Sequence, residues 1–132
     1  RRSFPWLHKR PPSDFQSVRN ASDREVHLIH AGSIANLTIR PEQIPTRDRT
    51  VNDADINVQA AGLNFRDVLN VLGLDPTGTV RLLGGEAAGI VLSVGPACGH
   101  VLVSEHAYGL VPGGLRTHAW GNARYIRCML PT

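Results

Sequence analysis

A chain of 132 residues with 42% hydrophobic content is long enough to bury one ordinary core without disulfide or metal staples. Thirteen glycines and nine prolines against 5% aromatics favour turns and short strands over long helices, and no apolar run approaches the roughly 20 residues that cross a bilayer. The net charge of +3 comes mainly from the front, where Arg1, Arg2, Lys9, Arg10, Arg19 and Arg24 face Asp14, Asp23 and Glu25, without the repeated aromatic spacing of a nucleic-acid stacking platform.

In chain order, residues 1–24 read as a basic connector interrupted by Pro5, Pro11 and Pro12, and residues 25–132 as the folded domain. With Arg1 rather than Met at its start, the chain is expected to be a piece of a longer polypeptide. Strand composition appears at Val26 to His30 and again at Leu37 to Ile39, the second ended by Pro41 and Pro45. From Asp55 the pattern alternates: Asp55, Asn57 and Gln59 point one way while Ile56, Val58 and Ala60 point the other, as in a half-buried strand.

The period then changes. Phe65, Val68, Leu69 and Leu72 fall at helical spacing, predicting one short helix with those residues on one face. Asn64 is placed to cap it, Asp67 sits in the first turn where the dipole favours a carboxylate, and Gly73 closes it. Ala87 to Val94 reads as a strand buried on both faces. Val101 to Val103, Ala107 to Val111, Arg116 to Trp120 and Arg124 to Ile126 complete about seven strands, with a turn at Pro112-Gly113-Gly114. The predicted class is mainly β, a small, partly open barrel with one or two short helices.

Two segments carry most of the chemistry: A-A-G-L-N-F-R-D-V-L from Ala60 to Leu69, and L-G-G-E-A-A-G-I-V from Leu83 to Val91. With the downstream Y-G-L-V-P-G-G, they resemble the GroES-like catalytic domain of medium-chain dehydrogenases and reductases, in particular the enoyl reductases of polyketide and fatty acid synthases. The resemblance implies a GroES-like barrel followed by a Rossmann domain, with the active site in the cleft between them. Pro131-Thr132 falls about where the family's linking region begins, so the Rossmann half is expected outside this chain. Gly84, Gly85 and Gly89 precede or interrupt a strand and open no helix, which is not a dinucleotide fingerprint.

The resemblance further implies hydride transfer from NADPH to an α,β-unsaturated acyl thioester borne on an acyl carrier protein. Asn64, Phe65 and Arg66 would lie beside the nicotinamide, and Leu69, Tyr108 and His118 beside the substrate. Some relatives carry a tyrosine where Leu69 stands, so protonation is expected from the downstream half or from water. Tyr108, inside a strand pattern, reads first as a packed side chain. Zinc-dependent relatives place cysteine and histidine where Asn64 and Gly85 stand, so no metal is expected.

Glu86 is expected to hold nearby backbone or an arginine, and Ser104, where relatives have glycine, to strain its turn. Cys98 and Cys128 lack a short-spaced partner, consistent with a reduced, cytoplasmic setting. The expected partners are the downstream Rossmann domain and the carrier-bound thioester, with no nucleic acid and no membrane. A quinone-reductase-like fragment and a non-catalytic GroES-like module are the alternatives.

Overall fold

The computed structural model describes residues 21–43, 49–79 and 81–130. Among these, seven strands and one α-helix follow in order: β1 (Arg24–Leu28), β2 (Leu37–Pro41), β3 (Asp53–Gly62), α1 (Phe65–Val71), β4 (Glu86–Val94), β5 (His106–Leu110), β6 (His118–Asn122) and β7 (Ile126–Cys128). Single 3₁₀ turns at Ile34–Asn36 and Ala123–Tyr125 precede β2 and β7. An antiparallel sheet in the order β6-β3-β4-β5-β7 forms the body, and β1 and β2 pair as a separate hairpin. Neither sheet closes on itself, so the mainly β, partly open architecture is as predicted. Most of the basic segment 1–24 lies outside the described residues, but Arg24 opens β1 and Asp23 is buried.

The hairpin is fastened by the segment leading into β6. Val26 N–H donates to Leu115 O (2.9 Å), Thr117 N–H donates to Arg24 O (2.9 Å), and Glu25 forms a β-bridge with Arg116. A second small core of Leu28, Val71 and Leu83 then joins the hairpin, α1 and the approach to β4. The main core gathers Ile56, Val91, Val101, Val111 and Ile126, all fully buried, from the strands and their connections.

Four local expectations change. β4 alternates, with Ala87, Gly89 and Val91 buried and Ala88, Ile90 and Leu92 half-buried; its uniformly small and apolar composition hides a period of two. Gly89 is required there, because a Cβ would lie 1.9 Å from Asn57 O. In β3 every residue from Asp53 to Ile56 is buried, because register shifts at Asp55/Ile56 and Val58/Ala60 interrupt the simple alternation.

Asp55 therefore faces inward, where it binds Arg49 (3.1 Å). Val101 to Val103 is a turn, anchored by fully buried Val101 with Leu102 and Val103 exposed. Arg124 and Tyr125 belong to a 3₁₀ turn, capped by Asn122, and the strand starts only at Ile126.

Ser104 has φ = 71°, in the left-handed region that disfavours a Cβ. Its N–H is nonetheless held by Val91 O (2.8 Å), so the sheet imposes the conformation. We predict that Ser104→Gly raises stability by about 0.5–1 kcal/mol, the relieved strain exceeding the added flexibility of the unfolded chain. A thermal melt should show a midpoint a few degrees higher; an unchanged or lower midpoint would contradict strain at this turn.

Candidate functional site

The two motif segments meet at one carboxylate. Asp67 Oδ2 accepts from Asn64 N–H (3.0 Å) while Asn64 Oδ1 accepts from Arg66 N–H (3.0 Å), a reciprocal cap on α1. The other oxygen, Asp67 Oδ1, accepts from Gly84 N–H (2.9 Å), tying the helix start to the glycine loop before β4. Gly62 and Glu86 are paired residues of β3 and β4, so the tie continues the sheet. The helix ends as predicted, with Gly73 at φ = 73° and Leu74 N–H donating to Leu69 O (2.8 Å).

This tie sets the rotation of α1, which periodicity alone left open. Asn70 and Val71 are buried, whereas Phe65 is 73% exposed and Val68 43%. The inward face tolerates polar groups because the loop satisfies them: Asn70 Nδ2 donates to Arg81 O (2.9 Å), and Arg81 N–H donates to Asn70 Oδ1 (3.4 Å). Outward, Leu63, Phe65 and Val68 form an exposed apolar stripe at the start of α1, and Leu74 is exposed past its other end.

Asn64, Phe65 and Arg66 are all exposed at this edge, and Leu69 is half-buried behind them. Asn64 commits its oxygen to the cap, and its Nδ2 has no hydrogen bond among the described residues. Arg66 lies 3.7 Å from Asp75, which Arg81 approaches at the same distance. Two hydrogen bonds from Thr77, its hydroxyl and its N–H, hold the Asp75 carboxyl below its usual range against a small opposing effect of burial, with the two arginines adding to the lowering.

Beside Gly62 and Glu86 an open groove of about 510 Å³ runs over β3, β4 and β5. Ala60, Ala61 and Ala88 form its floor, with Tyr108, Leu110 and Tyr125 at its walls. Tyr108 is 52% exposed, on the groove rather than packed in the core. Tyr125 is the wall residue that the sequence did not flag, because the 3₁₀ turn that presents it interrupts the strand pattern. Glu86 also differs from expectation: it is exposed on this groove and has no hydrogen bond or ion pair among the described residues. Its position at the open start of β4 leaves its carboxylate to solvent.

His118 lies elsewhere, buried at the start of β6 with Nδ1 3.1 Å from Glu42 Oε2 and 3.4 Å from Asp23 Oδ2. The hydrogen bond to Glu42 raises its pKa above the ordinary value; burial opposes this, and the charges of Glu42, Asp23 and Asp55 reinforce it. Among the described residues, Asp23, Glu42 and His118 are the one group of ligand-type side chains gathered within 4.8 Å. Those atoms already engage one another, and Arg116 Nε lies 3.9 Å from Glu42 Oε1, so protein cations meet the carboxylates. Asn64 and Gly85, where zinc-dependent relatives place ligands, offer neither a thiolate nor an imidazole.

A dinucleotide pyrophosphate finds no cradle among the described residues. Gly84 and Gly85 lead into β4, and α1 is one seven-residue helix whose first turn is capped by its own side chains.

No family model matches the chain. It is 31% identical over 121 residues to the spectinabilin polyketide synthase system protein NorB of Streptomyces orinoci, covering 92% of this chain and 6% of that protein. It is 34% identical over 101 residues to the mycoketide-CoA synthase of Mycobacterium tuberculosis, covering 75% of this chain and 2% of that one. Among solved structures, CurK enoyl reductase superposes with a TM-score of 0.70 at 30% identity, over 82% of this chain and 35% of that one. The fold and these relatives together define a GroES-like catalytic domain of the medium-chain dehydrogenase/reductase class. Within that class, the chain belongs with the enoyl reductase domains of polyketide synthases. It spans only a small part of the synthases and about a third of the enoyl reductase.

Because Asp67 satisfies two backbone donors in different segments, Asp67→Ala should cost roughly 1–3 kcal/mol. Amide exchange should speed at Gly84 as well as in the first turn of α1. Loss of protection in the helix alone would show that the tie to Gly84 carries no stability.

Proposed function

We propose that this domain is the substrate-side wall of an NADPH-dependent enoyl reductase acting on carrier-bound α,β-unsaturated acyl thioesters. The observation that carries the proposal is the outward rotation of α1. It presents Asn64, Phe65 and Arg66 together with an apolar stripe, next to a groove walled by Tyr108. Such a face suits one half of an active-site cleft. The portion of CurK enoyl reductase beyond the 35% covered by this chain provides the precedent for a second half, which the proposal assigns to a downstream Rossmann domain.

A reduced nicotinamide, when bound by the assembled enzyme, supplies the hydride. The part played by this chain is to position and to exclude water. The unengaged Nδ2 of Asn64 would be free to donate to a carbonyl oxygen of the bound nicotinamide, Phe65 would shield that end from water, and Leu69 and Tyr108 would shape the path of the thioester. The engagement of His118 with Glu42 and Asp23 favours a structural role over the thioester contact expected from sequence. No side chain here is assigned as the proton donor; solvent or the opposing wall supplies the proton at the α-carbon.

The test is oxidation of NADPH with a crotonyl thioester, measured on the complete parent protein and on the 132-residue chain. The parent should turn over and the isolated chain should not. In the parent, Asn64→Ala should lower kcat/KM by about tenfold or more, the loss of one well-placed hydrogen bond. Tyr108→Ala should act mainly on KM. Turnover by the isolated chain would show that the cofactor binds here, and a parent inactive on enoyl thioesters but active on a quinone would overturn the substrate assignment.

A further inference from the structure

We propose that His118 is a proton-operated clasp that holds both ends of the β1–β2 hairpin against β6. Asp23 immediately precedes β1 and Glu42 immediately follows β2, so the two carboxylates mark where the hairpin leaves and rejoins the body. They are held side by side, with Glu42 N–H donating to Asp23 O (3.1 Å). One imidazole nitrogen faces both, at 3.1 and 3.4 Å, and the three side chains are between 0 and 8% exposed. Burial at this depth magnifies the difference between a neutral and a charged imidazole.

The neighbouring groups are guanidiniums and carboxylates held in pairs. From the segment before β6, Arg116 pairs with Glu25 and approaches Glu42 at 3.9 Å. From β2, Arg40 donates to Glu25 (2.7 Å). Burial raises the Glu25 carboxyl, but the Arg40 hydrogen bond, the Arg116 charge and the Gln43 N–H together hold it below its ordinary range. From β3, Asp55 faces His118 and pairs with Arg49, which also stacks on Trp120 at 4.9 Å; Asp53 takes the Thr50 N–H (2.7 Å). His118 is therefore the member of the cluster that changes charge near neutrality.

Protonated, it faces Asp23 and Glu42 as a cation. Neutral, it can donate Nδ1–H to one of them at a time and offers no charge to either. A folded pKa above the unfolded value means that this stabilisation is complete below the unfolded pKa and is lost as pH rises through the folded pKa. The clasp is thus closed at mildly acidic pH and loosens on the alkaline side.

The test is a pH series of imidazole NMR and amide exchange on the 132-residue chain. His118 should titrate above its ordinary 6.5. After correction for intrinsic exchange, protection at Val26 and Glu42 should fall as pH rises through that titration, about tenfold for each unit by which the folded pKa exceeds the unfolded one. Protection at Val91 should stay level. His118→Gln should remove the pH-linked fall, and should that variant not fold, Glu42→Gln should move the His118 titration back towards 6.5. Titration of His118 at or below that value, an equal fall in the glutamine variant, or a pH dependence abolished by EDTA would each overturn the clasp.

Discussion

The Asp67 carboxylate fixes the orientation of everything at the candidate site. One oxygen closes the cap on α1 and the other reaches 17 residues along the chain to the Gly84 N–H, so the helix cannot turn without losing one of them. With that rotation set, Asn70 and Val71 face inward and Phe65 and Val68 outward. The apolar stripe accompanies that hydrogen-bonding constraint. Leaving a buried donor unsatisfied costs about as much as burying one medium apolar side chain contributes.

A second set of charged groups holds the hairpin to the body of the domain. Arg116 and His118 receive Glu25, Glu42 and Asp23 from the hairpin, while the Leu28, Val71 and Leu83 cluster packs that hairpin beneath α1. The site and the clasp therefore share the hairpin as a common support. Loosening the hairpin would reach α1 through Val71 and through the bond from Gly32 N–H to Val71 O (2.8 Å).

Much of the scaffold was legible in the sequence. Punctuation by glycine and proline located six of the seven strands to within a few residues, and Asn64, Asp67 and Gly73 marked the helix by their capping chemistry. The strained turn at Ser104 followed from a missing glycine, and its φ of 71° bears that out. Helix facing was not legible, because periodicity places apolar residues on one face without saying whether that face meets the core or a partner. The burial of Asp55 was hidden for another reason, since bulges in β3 break the alternation without a sequence mark. The clasp carried no mark in the sequence, where His118 reads as a substrate contact. Its partners Asp23 and Glu42 lie at the two far ends of a hairpin that only tertiary structure brings together.

The central claim is that the stripe of Leu63, Phe65 and Val68 is one wall of a cleft completed elsewhere in the parent protein. Hydroxyl-radical footprinting of these side chains, compared between the 132-residue chain and the complete parent, tests it directly. Phe65 and Leu63 should label readily in the isolated chain and be protected several-fold in the parent, while exposed Ile39 on the hairpin labels equally in both. Equal labelling of Phe65 in the two proteins would contradict the claim and return the stripe to ordinary exposed surface.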